Sequence, residues 1–399
     1  MALVTAVMAP GNQRTWTVLG ADYLPIDAAE EFLEFLRTDG FSPNTVRSYA
    51  QSLGEYFQFL ELAEATWRDV TISLFAAFRR WLATGTAPGT VMLHSDEAMR
   101  SPATVDLRCA AVLSFYRFHY EEHGEECALR LYRVGGRDRG DGGHRELLAH
   151  LRRYRRNELR PVFRTRRAAP RLAPIFTPDQ VQTVLDGCAT FSDGAWHGSV
   201  RDRLLFATLH ETGMRLGECL GLQHRDFVTG AGGTPYIEIV PRDDHPHGAR
   251  VKGGHPRRLY ISDDLERLYG EYLWQLCDLG AAEVHPPLDE WWVFVNVNRG
   301  EPFAPLRPES VYAKVGQLSR RFGESLPEGW TPHWFRHTHA TSLLLAGAPI
   351  HVVMRRLGHR HVQTTIDRYG WVTEDAELKV LADWRAHAAS WQRAEAATS

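Results

Sequence analysis

The sequence predicts a mainly α protein in two parts: a helical bundle, then an α-rich domain carrying a small antiparallel β-sheet. Three observations predict it. Apolar residues recur at helical spacing through most of the chain, the period shortens to that of strands around residues 234–261, and an arginine-rich stretch with prolines separates two helical regions. With 399 residues, 44% of them hydrophobic, the chain can fill the cores of two or three domains.

Residues 1–24 read as an N-terminal tail, too short for a separate domain, and the bundle follows over 25–126. Four stretches build it: "IDAAEEFLEFLRTDG", "SPNTVRSYAQSLGEYFQFL", "LFAAFRRWLATG" and "SPATVDLRCAAVLSFYRFHY". In the second, Ser42 caps, Pro43 opens the helix, and Val46, Tyr49, Leu53, Tyr56, Phe57 and Leu60 share one face. The fourth repeats the device with Ser101, Pro102, Val105, Val112, Leu113 and Tyr116. These stripes are core. Polar positions near the helix starts, Asn44, Thr45, Arg47, Thr104 and Arg108, are the candidates for touching a phosphate backbone, because helix N-termini favour anions.

A net charge of −3 argues against a nucleic-acid partner until the charge is placed along the chain. Between Arg130 and Arg171 stand 14 arginines against Asp138, Asp141, Glu146 and Glu158, a local balance of +10, so the remainder sums to −13. Residues 127–172 therefore read as an Arg-rich linker. Arg152, Arg153, Arg155 and Arg156 suit a strap that tracks DNA phosphates; a solvated tether is the plainer alternative.

The second domain is expected over 173–399. It opens on "APIFTPDQVQTVLDGC", where Thr177 caps and Pro178 starts a helix, and stays helical through "VRDRLLFATLHETGMRLGECLGL". "TPYIEIVPRDD" and "GARVKGGHPRRLYI" are short β-rich runs forming the sheet, "WWVFVN" suggests a further strand, and helices resume from Pro308. Near the end, Leu378, Leu381, Trp384, Ala388 and Trp391 form an apolar face suited to assembly or to packing on the chain's own domain.

Chemistry concentrates in three motifs. "ETGMRLGE" sets Arg215 after a glycine turn with Glu218 three residues on; "TPHWFRHTHAT" puts His333 and Arg336 one helical turn apart; "LGHRHVQTTIDRYG" holds His359 and, ten residues later, Tyr369. His333 and His337, four apart, have zinc-ligand spacing, but Arg336 stands where a metalloprotease needs glutamate and a cation is a poor neighbour for Zn²⁺, so no metal is expected. Arginines, histidines, a lysine and a tyrosine with no acidic cluster for Mg²⁺ suit a metal-free and cofactor-free reaction on a phosphodiester. The arginines would hold non-bridging oxygens bidentately while tyrosine attacks phosphorus.

Taken in order, Arg215 in "TGMRLGE", Lys252 in a β-turn, His333 and Arg336 in "HWFRHTHAT", His359 in "LGH" and Tyr369 in "TTIDRYG" resemble the tyrosine recombinase, or phage integrase, family. The two "SP-x-TV" helices are similar to that family's helical core-binding (SAM-like) domain. The resemblance implies that Tyr369 forms a 3′-phosphotyrosyl link and frees a 5′-hydroxyl that attacks a partner duplex. Arg215, Arg336, His333 and His359 would bind the scissile phosphate, with His333 taking the tyrosine's proton, Glu218 orienting the cluster and Lys252 protonating the leaving oxygen. It also implies double-stranded recombination sites, two protomers on each, a homotetramer at synapsis and a Holliday junction. An accessory directionality factor and integration or excision of a mobile element fit the same picture, with no arm-binding domain. Type IB topoisomerase activity and a silent DNA-binding regulator are the rival readings.

Lys252 sharpens the expectation. Only Lys252, Lys314 and Lys379 among 46 basic residues are lysine, leaving 43 arginines. A general acid must release its proton, which arginine, with a pKa above about 12, does not. The cysteines at 109, 127, 188, 219 and 277 show no C-x-x-C spacing, and nothing in the sequence resembles a membrane span or signal peptide. The expected location is the cytoplasm, on the nucleoid.

Overall fold

The computed structural model describes residues 2–9, 13–86, 99–134, 159–163, 173–230, 232–242, 244–249, 251, 256–298, 300–359 and 362–369. It divides into two compact units, Met1–Arg167 and Ala168–Ser399.

The first unit opens with strands rather than a tail. β1 (Leu3–Ala9) pairs antiparallel with β2 (Gln13–Leu19), and β-branched residues such as Val4, Thr5, Val7, Thr15, Thr17 and Val18 favour that conformation. The hairpin lies on the bundle: Val18 is fully buried, and a Cβ at Gly54 would sit 2.5 Å from Val4 Cγ2. Four helices follow, α1 (Asp27–Thr38), α2 (Pro43–Leu62), α3 (Ile72–Thr84) and α4 (Pro102–His123). Arg37 of α1 pins the hairpin by donating to Thr15 Oγ1 (2.9 Å) and the Trp16 carbonyl (2.7 Å).

Both serine–proline starts form as the sequence requires, with Ser42 Oγ accepting from Thr45 N (3.2 Å) and Ser101 Oγ from Thr104 N (3.3 Å). Of the two predicted stripes only Tyr49 stays partly buried; the rest lie in the core. A buried polar link joins α2 to α4, Tyr56 Oη to Tyr116 Oη at 2.6 Å, and Tyr116 also donates to the Trp67 carbonyl. Beyond α4, β3 (Tyr132–Val134) pairs with β4 (Leu159–Pro161). The arginines at 152, 153, 155 and 156 lie outside the described residues.

In the second unit α5 (Pro178–Cys188) begins with the Thr177 cap, and β5 (Ala189–Ser192) turns into β6 (Ala195–Gly198). Asp193 (φ 52°) and Gly194 (φ 77°) make that two-residue turn, an Asp–Gly hairpin signal. The helical run that follows is broken at Gly213 into α6 (Val200–Thr212) and α7 (Leu216–Leu220). β7 (Phe227–Val228), β8 (Tyr236–Ile239) and β9 (Arg257–Tyr260) form an antiparallel sheet in that order, with Ile237 opposite Leu259. Helices α8 (Asp263–Asp278), α9 (Ala281–Val284), α10 (Pro308–Phe322), α11 (His333–Leu345), α12 (Ile350–Leu357) and α13 (Val362–Tyr369) complete it.

The core sits around α6, whose Leu204, Leu205, Phe206 and Leu209 pack with residues of α5, α8 and α11. "WWVFVN" is not a strand. Trp292, Val293, Phe294 and Val295 are buried, and the segment forms isolated bridges, Gln223 to Trp292 and Val295 to Pro305, with backbone hydrogen bonds such as Val293 N to the Leu222 carbonyl and Leu306 N to the Phe294 carbonyl that do not extend into a continuous ladder. No helix among the described residues is long and apolar enough to cross a membrane.

Candidate active site

Gly213 creates the first corner of the site. Its φ of +64° ends α6, and a Cβ there would lie 2.5 Å from His339 Cδ2, so glycine is required on both counts. Two residues later Arg215 is the N-cap of α7. Its backbone N–H donates to Glu218 Oε2 and its Nη1 to Glu218 Oε1, both at 2.9 Å. Glu218, whose side chain is wholly buried, is gripped from the other side by Arg257 of β9, Nη2 to Oε2 at 2.6 Å. Burial opposes the charge on Glu218, but Arg257 and then Arg215 overcome it and hold the carboxyl below its usual range.

Arg257 was not among the expected residues. Strand alternation was the available signal: Arg257 and Leu259 face inward while Arg258 and Tyr260 face out. It also donates through Nε to the Arg356 carbonyl (3.0 Å), so one side chain ties β9 to α7 and to the last turn of α12. Arg257→Ala leaves a buried carboxylate with Arg215 as its remaining arginine. Denaturant titration should show a loss of about 3–5 kcal/mol, with cleavage falling alongside it, whereas an exposed control, Arg258→Ala, should change stability by less than about 0.5 kcal/mol.

Arg336 projects from the first turn of α11 and is 2% exposed. Nη1 donates to the Gly213 carbonyl (2.8 Å) and Nη2 to the Leu357 carbonyl (2.7 Å), which fixes the guanidinium between the α6–α7 corner and the end of α12. A guanidinium has five N–H donors, so these two bonds leave others for an anion. Burial, and then the adjacent charge of Arg215, push the Arg336 pKa below its ordinary value. Two guanidinium groups thus grip one carboxylate while a third, Arg336, feels the charge of both sides, an unbalanced positive site that an oxyanion would relieve.

The other predicted residues complete one side of it. Tyr369, at the end of α13 and 1% exposed, lies with its Oη 2.8 Å from His337 Nδ1, and His333, exposed at the start of α11, sets its ring 4.6 Å from that of His337. His337 had entered only as a metal-spacing partner of His333; its position directly after Arg336 carries no periodicity signal. His359 follows Gly358, which ends α12 in the left-handed region (φ +66°), and its Nδ1 meets Thr365 Oγ1 of α13 at 2.8 Å. The same helix carries Tyr369. Lys252 lies outside the described residues, as does the apolar face expected after residue 370.

The bundle candidates divide. Asn44 is exposed, and Arg47, also exposed, stacks over Trp16 at 4.6 Å. Thr45 and Thr104 hydroxyls lie 2.9 Å from their capping serines. Arg108 turns into the bundle, reaching Glu55 (3.4 Å) and Ser52 Oγ (3.2 Å), so its charge braces α4 on α2. A cleft of about 860 Å³ in the second unit, lined by Trp196, His210, Leu268 and Leu343 among others, includes none of the six predicted catalytic residues.

Comparison with known proteins shows the family. Residues 174–375 match the model of the phage integrase family, and residues 29–123 match the phage integrase N-terminal SAM-like domain. Transposase A from transposon Tn554 of Staphylococcus aureus is 29% identical over 357 residues, covering 89% of this chain and 90% of that protein. Tyrosine recombinase XerC of Rhodospirillum centenum is 27% identical, covering 86% and 81%. Among solved structures, the Tn1549 transposon integrase in complex with a circular intermediate DNA superposes with a TM-score of 0.57 at 14% identity, covering 89% of this chain and 99% of that one. The XerH recombinase bound to its palindromic difH substrate gives 0.55 at 17% identity, covering 89% and 84%.

Proposed function

The chain belongs to the phage integrase family and is a tyrosine-type site-specific recombinase, and from that premise we propose that it integrates or excises a mobile element through a covalent Tyr369–DNA intermediate. One observation carries the assignment of residues: Arg215 and Arg257 converge on Glu218 within electrostatic reach of Arg336, while Tyr369 is hydrogen-bonded to His337, the residue directly after Arg336. The relatives named for transposons support the mobile-element role.

In this reading the scissile phosphate binds Arg215 and Arg336, whose remaining N–H groups take the non-bridging oxygens and neutralise charge as phosphorus becomes five-coordinate. Tyr369 Oη attacks phosphorus and expels the 5′-oxygen, leaving a 3′-phosphotyrosyl ester. His337 is the base within hydrogen-bond reach of the phenol, which moves the proton-accepting role expected of His333 one helical turn along α11. His333 and His359 then contribute to phosphate binding, and Lys252 delivers a proton to the departing oxygen. The ester conserves the bond energy, so a 5′-hydroxyl from a partner duplex reseals the strand without a nucleotide cofactor. Two protomers on each site and four in the synapse give the exchange through a Holliday junction.

The test uses nicked duplexes carrying the ends of the element that encodes the protein. Covalent adduct together with Holliday junctions is the expected result. Relaxation of any supercoiled plasmid without junctions would instead favour a topoisomerase, and tight binding without adduct at any cognate site would favour a regulator.

A further inference from the structure

We propose that Glu31, His119 and His123 form a divalent transition-metal site of the zinc class that pins α1 to the C-terminal end of α4. It lies wholly in the first unit, apart from the residues assigned to strand cleavage, and takes two imidazole nitrogens and one carboxylate oxygen, a donor set that zinc favours. His119 and His123 stand four residues apart on α4 and so face the same way, toward Glu31 of α1.

Their ligand atoms all lie within 4.8 Å of one another. His123 Nε2 is 3.3 Å from Glu31 Oε2, and His119 Nδ1 is 4.0 Å from the same oxygen. Ligands on a tetrahedral ion with bonds of about 2.1 Å sit roughly 3.4 Å apart, so small side-chain adjustments close the shell. Water would fill the fourth position.

The orientation of His119 points independently to a ligand. Its Nε2 lies 2.9 Å from the Ala28 carbonyl, which only accepts, so Nε2 carries the proton and the bare Nδ1 faces Glu31 and His123. A backbone carbonyl holding the far nitrogen of a histidine is the arrangement that orients metal-bound imidazoles. Trp67, Phe115 and Phe118 enclose the ring, with centroids 4.8, 4.6 and 5.0 Å away, and His119 itself is 2% exposed. Burial also draws its pKa down. The side chains of His123 and Glu31 are half exposed, at 47% and 54%, leaving an entry path for an ion.

The experiment is metal titration of the full chain after stripping with EDTA. Zinc chloride should bind at this site at one equivalent and, at about a hundredfold over Kd, raise the melting midpoint by roughly 5–10 °C. Co²⁺ in its place should give the visible absorption of a four-coordinate ion. His123→Ala and Glu31→Gln alter exposed side chains and should fold normally, yet each should lose the shift; His197→Ala, on the β5–β6 hairpin, should keep it. No shift in the parent chain, a shift surviving both substitutions, or one lost equally in His197→Ala would each overturn the site. Because the readout is metal binding, failure here leaves the recombinase assignment untouched, and failure of DNA cleavage leaves the metal site untouched.

Discussion

Tyr369→Phe should bind cognate DNA with an affinity within about twofold of the parent and yield no covalent adduct and no Holliday junction. The substitution removes one oxygen from a residue that is 1% exposed and whose hydroxyl already has a hydrogen-bond partner in His337. Losing that bond costs about 1 kcal/mol of stability, too little to unfold the domain. The chemical effect is complete, because phenylalanine has no nucleophilic atom and no other hydroxyl stands in its place in the proposed mechanism. His337→Ala separates the nucleophile from its base. It should leave adduct formation measurable but slower by about 10²–10⁴-fold, with the loss smaller at high pH, where the phenol ionises unaided. An adduct from Tyr369→Phe at the parent rate would move the nucleophile elsewhere.

Lys252→Arg should keep DNA binding and slow cleavage by about 10²–10⁴-fold. Arginine retains the positive charge that a phosphate needs, while its pKa above about 12 removes the transferable proton; lysine, near 10.4, can be lowered by neighbouring cations and partial burial. Substrates with a sulfur atom at the bridging 5′ position separate these properties, since a thiolate leaves without protonation. Such a substrate should restore the variant to near the parent rate, and undiminished cleavage of ordinary DNA by Lys252→Arg would return the residue to a tolerated turn lysine. Arg257, five positions on in the sequence, anchors the start of β9 on Glu218.

Much of the bundle was legible because its signals are local. Ser42–Pro43 and Ser101–Pro102 specify helix starts by their own backbone chemistry, and stripes at 3.6-residue spacing name the buried face whatever the partner helix. The N-terminal hairpin was missed because its strands show no clean alternation; Thr15, Thr17 and Val18 are all buried. "WWVFVN" failed in the opposite sense, since a short apolar run reads alike as strand or as core tied by isolated bridges, and only the elements around it decide.

The sequence by itself determined the family: two arginines, two histidines, a lysine and a tyrosine stand in an order and spacing that resemble it, and from them we propose the attack on a phosphodiester. Tertiary structure decided which groups support them. Arg257 meets Glu218 across 39 positions, Arg336 reaches the Gly213 carbonyl across 123, and His119 of α4 turns its bare nitrogen toward Glu31 of α1. Covalent chemistry belongs to residue types and is written in the chain. The pairing of a buried charge belongs to whatever folding brings within about 3 Å of it, and no local pattern encodes that neighbour.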